Sequence, residues 1–202
     1  VFGDQDGADD NASGVAGVIE TARILAEQKS KLPNNVDFVF YSLEEPPFYK
    51  TEQMGSYVHA KSVQSQKDKI KGVYILEMIG FFSEQPIQSY PVGLKWIYPS
   101  HGNFIATVSN VSSRDLGAGY CTAMQQLDLL ECQRLVAPSF ANAFDFSDHL
   151  NYWEFDIPAV MITDTAFYRN GHYHTKADRL ATLNLTKMAN VIDGLVQHLL
   201  KP

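Results

Sequence analysis

Gly72-Val73-Tyr74-Ile75-Leu76-Glu77-Met78-Ile79 reads as a buried strand carrying one residue that does not belong in a core. Its apolar, largely β-branched and aromatic side chains suit a pleated, covered surface. Glu77 is costly to bury unpaired, so the strand end asks for a partner to that carboxylate. Similar short apolar runs at residues 36–42, 104–110 and 159–163 read as further strands. Between them lie helical patterns. Residues 12–27 place Val15, Val18, Ile19, Ala22, Leu25 and Ala26 on one face, with Asp10, Asn11 and Ser13 as capping candidates. Residues 54–66, 113–130 and 184–200 give three more helices, the last carrying Leu185, Met188, Val191, Ile192, Leu195 and Leu199 on its apolar stripe. Strands alternating with helices predict an α/β domain: a largely parallel mixed β-sheet sandwiched between helices.

The chain has 202 residues, enough for one core without help from metals or disulfides. Hydrophobic content of 45% and charged content of 19% are those of a globular protein, not a disordered one. With 16 Lys+Arg against 23 Asp+Glu the net charge is −7, which argues against a nucleic-acid or anionic-membrane partner. No run reaches the ~18 apolar residues of a membrane span. Cys121 and Cys132, the only cysteines, lie in or near one expected helix without CxxC spacing. Their plainest reading is two buried thiols, and a disulfide requires the helix to end between them. Residues 80–103 form a long irregular section rich in aromatics (Phe81, Phe82, Tyr90, Trp96, Tyr98), of a length more often functional than idle.

Ligands of open α/β sheets bind beyond the carboxyl ends of the strands. Glu44 and Glu45 follow the strand at 36–42, Glu77 ends the strand quoted above, and Asp9-Asp10 precede the first helix. Four carboxylates (Asp9, Glu44, Glu45, Glu77) converging with His174 would repel one another without a cation. Oxygen and nitrogen donors of this kind suit zinc. In a turning segment Glu44 and Glu45 point different ways, so one can ligate while the other acts as a general base.

Several segments resemble those of the M28 family of zinc aminopeptidases. Gly7-Ala8-Asp9-Asp10-Asn11-Ala12-Ser13-Gly14 is similar to its GADDNASG segment. Leu43-Glu44-Glu45 with Met54-Gly55-Ser56, Leu76-Glu77-Met78-Ile79-Gly80, Ser147-Asp148-His149, and Tyr173-His174-Thr175 followed by Asp178 match four more, in the family's order. The resemblance implies that Asp9 bridges two zinc ions, with a cis bond between Asp9 and Asp10. Glu45 and His174 complete the first metal site. Glu77 ligates the second ion. Glu44 is the general base that activates water against the scissile carbonyl of a peptide. Ser147, Asp148 and His149 line the substrate pocket. Phe144 stands where some members place an oxyanion-stabilising Tyr, which leaves that task to the metal. The resemblance also points to a secreted or periplasmic setting.

One departure stands out. The family's second zinc also takes a His from a His-x-Asp segment just before the Gly-Ala-Asp-Asp-Asn stretch, and residues 1–6 contain none. The expectation is therefore a single domain over residues 1–202 that lacks its N-terminal strands, about the C-terminal two-thirds of the full domain. It holds one complete zinc ligand set and half of another. Two alternatives stay open: a glutaminyl-cyclase-like acyltransferase using one zinc, and a non-catalytic interaction domain of the same superfamily.

Overall fold

The computed structural model describes residues 5–91, 93–137 and 146–201. Phe144, an expected pocket residue, lies outside them. In chain order the elements are α1 (Gly14–Glu27), α2 (Gly55–Val63), β1 (Val73–Leu76), β2 (Phe104–Asn110), α3 (Arg114–Leu127), β3 (Glu131–Ala137), α4 (His149–Glu154), β4 (Ala159–Thr163) and α5 (Leu185–Leu199). The four strands form one sheet in the order β1-β4-β2-β3. β1 pairs with β4 in parallel, Val73 opposite Ala159, and β2 pairs with β3 in parallel, Phe104 opposite Glu131. β2 and β4 run antiparallel, with Val108 opposite Met161. The sheet is mixed and mostly parallel, as the alternation of strands and helices predicts.

Both faces are covered. Leu76, Ile105 and Ile162 pack with Leu25 of α1, Tyr120 and Met124 of α3, and Val191, Ile192 and Leu195 of α5. The neighbouring strand positions Ile75 and Ala159 point the other way, onto Ala60 of α2 and Tyr152 of α4. This is the period-two alternation of a strand buried on both sides. Gly117 is needed where α3 crosses the sheet: a Cβ there would stand 2.8 Å from Thr107 Oγ1.

Four elements differ from the sequence reading. Residues 36–42 are extended but belong to no ladder among the described residues; only Ser42 O accepts a backbone bond, from Gly55 N. An open cleft of about 1820 Å³ separates this segment from β1, whose outer edge is likewise unpaired among the described residues. A strand is defined by its neighbour, and without one a β-rich run stays merely extended. β3 and α4 were not expected. β3 carries Glu131, Gln133 and Arg134, the mixed polarity of an edge strand. Finally, α3 stops at Leu127, with Asp128 turning left-handed at φ 51°. The helix thus ends between Cys121 and Cys132, and the two form a disulfide across 5.3 Å of Cα–Cα distance rather than two buried thiols.

Candidate metal centre

The candidate centre is built on the turn that leads into α1. Gly7 enters it with φ 61°, a left-handed value that glycine adopts without strain. One irregular helical turn, Ala8–Ser13, follows, and it breaks at Asp10 (φ −105°, ψ 92°) and Asn11 (φ −128°, ψ 39°). The cis peptide bond lies between Asp10 and Asn11, one residue later than expected.

That break aims the two adjacent carboxylates differently. Asp10 faces the cluster: its Oδ2 is 3.0 Å from His174 Nε2, and Glu45 Oε1 is 3.1 Å from the same nitrogen. One donor atom from each of Asp10, Glu45 and His174 lies within 4.8 Å of the others. Asp9 instead turns inward and is fully buried. Its Oδ1 accepts from Gly80 N at 3.0 Å and its Oδ2 from Asn170 Nδ2 at 2.7 Å. The carboxylate that faces Glu45 and His174 is thus Asp10, where the resemblance placed Asp9. Backbone direction at the break decides it, because Asp9 spends its lone pairs on those two buried donors.

A scaffold of hydrogen bonds fixes the turn. Asp178 accepts from Asp9 N at 2.9 Å and from Asp10 N at 3.1 Å. Asn11 Oδ1 accepts from Gly14 N and Met78 N, and its Nδ2 donates to Leu76 O at 3.0 Å. Gly14 allows this close approach; a Cβ there would lie 2.3 Å from Leu76 O. Strain gathers around the same place. Leu43, Met78 and His174, each next to or at a cluster residue, hold φ of 63°, 50° and 56°. Left-handed non-glycine residues cost about 1–2 kcal/mol apiece, and such outliers concentrate at functional sites.

Glu77 stands beside the cluster rather than in its three-residue core. Its Oε2 accepts from Ser147 Oγ at 2.7 Å and from Asn11 Nδ2 at 3.3 Å. Burial, then the charges of Glu44 and Asp10, hold it well above the usual carboxylate range. Glu44 follows the left-handed Leu43 and is pushed up to about 8 by burial and by Asp148, Glu45 and Asp10. Burial, followed by the charge of Glu45, raises Asp10 to about 6. Burial is the first cause in each case, and the carboxylates raise one another by their mutual repulsion. An imidazole nitrogen with two carboxylate oxygens at these separations is a donor set that fits zinc. Tyr173 stacks on the His174 ring at 3.8 Å and holds it in place.

The other expected pocket residues separate. Ser147 is buried and serves Glu77. Asp148 is hydrogen-bonded by Ser56 Oγ, is raised to about 6 by burial, and lines the open cleft. His149 is fully buried, edge-on to the Trp153 ring at 4.6 Å, and lines neither the open cleft nor the smaller cavity beside the cluster. A second cavity of about 110 Å³ does border Asp10, Glu44 and Glu77. Its wall is apolar, with Met78, Tyr90, Leu94, Tyr98, Phe146 and Met161.

Sequence reasoning missed the layer beneath. Asp164 accepts from Phe81 N at 2.8 Å and is held well above the usual carboxylate range by burial and by Asp9. It shares a hydrogen bond with Asp9, which requires one of the two carboxyls to carry a proton. An acid directly after the apolar β4 was a usable signal, the same one that singles out Glu77. Asn170 and Arg169 carried no such signal.

The sequence profile of peptidase family M28 matches residues 1–199. The chain is 46% identical over 192 residues to the Escherichia coli protein YfbL, described as uncharacterized, covering 94% of this chain and 58% of that one. It is 26% identical over 205 residues to leucine aminopeptidase 1 of Ajellomyces capsulatus, covering 96% and 47%. The chain thus spans about half the length of the curated relatives it matches. Among solved structures, Legionella LapA superposes with a TM-score of 0.74 at 22% identity, over 98% of this chain and 48% of that one. A zinc aminopeptidase from Bacillus subtilis gives 0.69 at 16%, over 96% and 42%. Porphyromonas gingivalis glutaminyl cyclase gives 0.64 at 19%, over 96% and 63%. At these identities the structural likeness speaks for the fold, and the profile match over nearly every residue speaks for descent: the chain belongs to peptidase family M28.

Proposed function

We propose that this chain carries the catalytic centre of a zinc-dependent aminopeptidase acting on peptides. The observation that carries the reading is the convergence of Asp10, Glu45 and His174 within 4.8 Å, with Glu44 beside them. Asp10, Glu45 and His174 hold one zinc ion, and Glu77 with Asp10 contributes to a second. Zinc bound there supplies Lewis acidity, lowering the pKa of water and polarising the substrate carbonyl. Glu44 does the proton work. Its neighbours and its burial keep its proton affinity near neutrality, where a carboxyl can both take a proton from the attacking water and return it to the leaving amine. Asp178, Asn11 and Tyr173 hold the ligands in place without touching substrate. The apolar cavity of about 110 Å³ next to Glu44 suits a medium apolar side chain such as leucine or methionine at the substrate's N-terminus.

A second reading, glutaminyl cyclisation, is favoured by the single three-donor group among the described residues and by the cyclase among the structural neighbours. The experiment is metal analysis with two assays on the zinc-loaded protein, a leucyl anilide and an N-terminal glutaminyl peptide. Anilide hydrolysis is expected. One bound zinc with cyclisation alone would replace the peptidase reading by the cyclase one, and neither reaction would leave an interaction domain. Glu44→Gln is expected to keep its zinc and lose turnover by about 10²–10⁴-fold, the usual worth of a general base. Full activity in that variant removes Glu44 from the role.

A further inference from the structure

We propose that Arg169 is a specificity-positioning residue, a buried clamp that sets where the wall of the apolar cavity stands. The inference rests on the aminopeptidase reading above. One side of the wall comes from the irregular section at 80–103, which contributes Gln88, Tyr90, Leu94 and Tyr98. Among its described residues this section has little regular structure to fix it: one short 3₁₀ turn, Leu94–Trp96, and a single bridge between Ser83 and Gly102. Arg169 supplies what the ladder does not. It is only 4% exposed. Its Nη1 donates to Phe104 O at 2.9 Å and to Phe81 O at 3.3 Å, one carbonyl at each end of the section. Its Nε donates to Gln88 Oε1, in the middle, at 2.8 Å. The guanidinium lies over the Phe104 ring, 4.4 Å from its centroid.

The neighbours of Arg169 extend the same grip. Tyr168 O accepts from both the backbone N and Oγ of Ser89 at 2.7 Å, and Gln88 Nε2 donates to Thr165 Oγ1 at 2.9 Å. Gly102 leaves space for the arginine stem; a Cβ there would stand 2.7 Å from Arg169 Cδ and 2.9 Å from Nε. A guanidinium removed from water is costly unless its donors are used; Nε and Nη1 are engaged, and Nη2 is buried without a hydrogen-bond partner among the described residues. A rigid fork can join three acceptors from separate points of one segment, and the single ammonium of lysine cannot.

The test uses the zinc-loaded protein, the variants Arg169→Lys and Gly102→Ala, and leucyl and alanyl p-nitroanilides. A leucyl side chain reaches the wall and an alanyl methyl does not. Both variants are expected to raise KM for the leucyl substrate about tenfold, the scale of one or two misplaced methylene contacts, with kcat within about threefold and the alanyl KM within about twofold. Zinc content is expected to be unchanged. Backbone amides of Gln88 and Ser89 are expected to exchange with solvent about tenfold faster or more. If Arg169→Lys does not fold, Gly102→Ala, which keeps the guanidinium and crowds it, decides. Parallel losses on both substrates, unaltered leucyl KM, or unaltered exchange at 88–89 each overturn the clamp. A wild type that cleaves neither anilide overturns the aminopeptidase reading instead, and exchange at 88–89 then decides the clamp alone.

Discussion

A break in backbone direction at Asp10 gives two adjacent, chemically identical side chains opposite tasks. Asp9 is a structural acceptor at the bottom of the site, and Asp10 is the side chain within reach of His174. Alanine at each position should therefore fail differently. Asp9→Ala leaves the Gly80 N–H and the Asn170 amide without their buried acceptor, each worth about 1–3 kcal/mol, so Tm is expected to fall by roughly 5–10 °C. Asp10→Ala removes one of several mutually repelling carboxylates and is expected to cost less Tm but to lose zinc on dialysis. Calorimetry and metal analysis on the two variants check this, and the reverse pattern would return the ligand role to Asp9. Motif spacing located the pair but not its facing member, because φ and ψ at Asp10 and Asn11 are not written in any spacing. Glu44, Glu45 and His174 were legible as a metal cluster because carboxylates and an imidazole at strand and loop ends have few other reasons to converge. Arg169 was not legible, since most of its partners are backbone carbonyls from far along the chain.

Among the elements, α3 and β3 are joined twice, by packing and by the Cys121–Cys132 disulfide. A bridge closing a loop of about a dozen residues stabilises by about 2–3 kcal/mol in the chain-entropy account. Reduction, or Cys132→Ser, is expected to lower Tm by roughly 5–10 °C and leave zinc content unchanged, because the bond lies away from the Asp10 cluster. An unchanged Tm after confirmed reduction would show that packing alone fixes β3. The periodic elements α1, β1, β2, β4 and α5 were readable because their apolar spacing is set by burial on a covered sheet. β3 was hidden by its polar edge residues, and α4 by its six-residue length. Residues 36–42 carry a genuine strand composition, yet pairing is a property of two segments and only one of them can be read at a time.

For the molecule as a whole, the acidic cluster makes stability depend on pH and metal together. Glu44 is raised to about 8, and Asp10 and Asp148 to about 6, so the folded chain retains protons that the unfolded chain has released. Their contribution to stability is complete below the ordinary carboxylate pKa, near 4, and is lost as pH climbs through about 6 and then about 8. The metal-free protein should accordingly melt at lower temperature at pH 8 than at pH 5. Added zinc, bound by the folded state alone, should raise Tm more at pH 8 than at pH 5. Calorimetry with a chelator and then with zinc at both pH values measures it, and equal zinc-induced shifts would argue that these carboxylates do not face the ion.

The reversal of direction between β4 and β2 has a consequence for how such a protein can be altered. Two acids of the site hang from strand ends on the β1–β4 side, where Glu77 follows β1 and Asp164 follows β4. One side of the cavity wall hangs from strand beginnings on the β2–β3 side, where residues 80–103 lead into β2 and Gln133 and Arg134 lie in β3. Two kinds of loop, attached to different halves of the sheet, meet over one cavity. A library confined to the second kind can exchange, lengthen or graft loops along that wall, while the segments that hold Asp10, Glu44, Glu45 and His174 keep every residue they have.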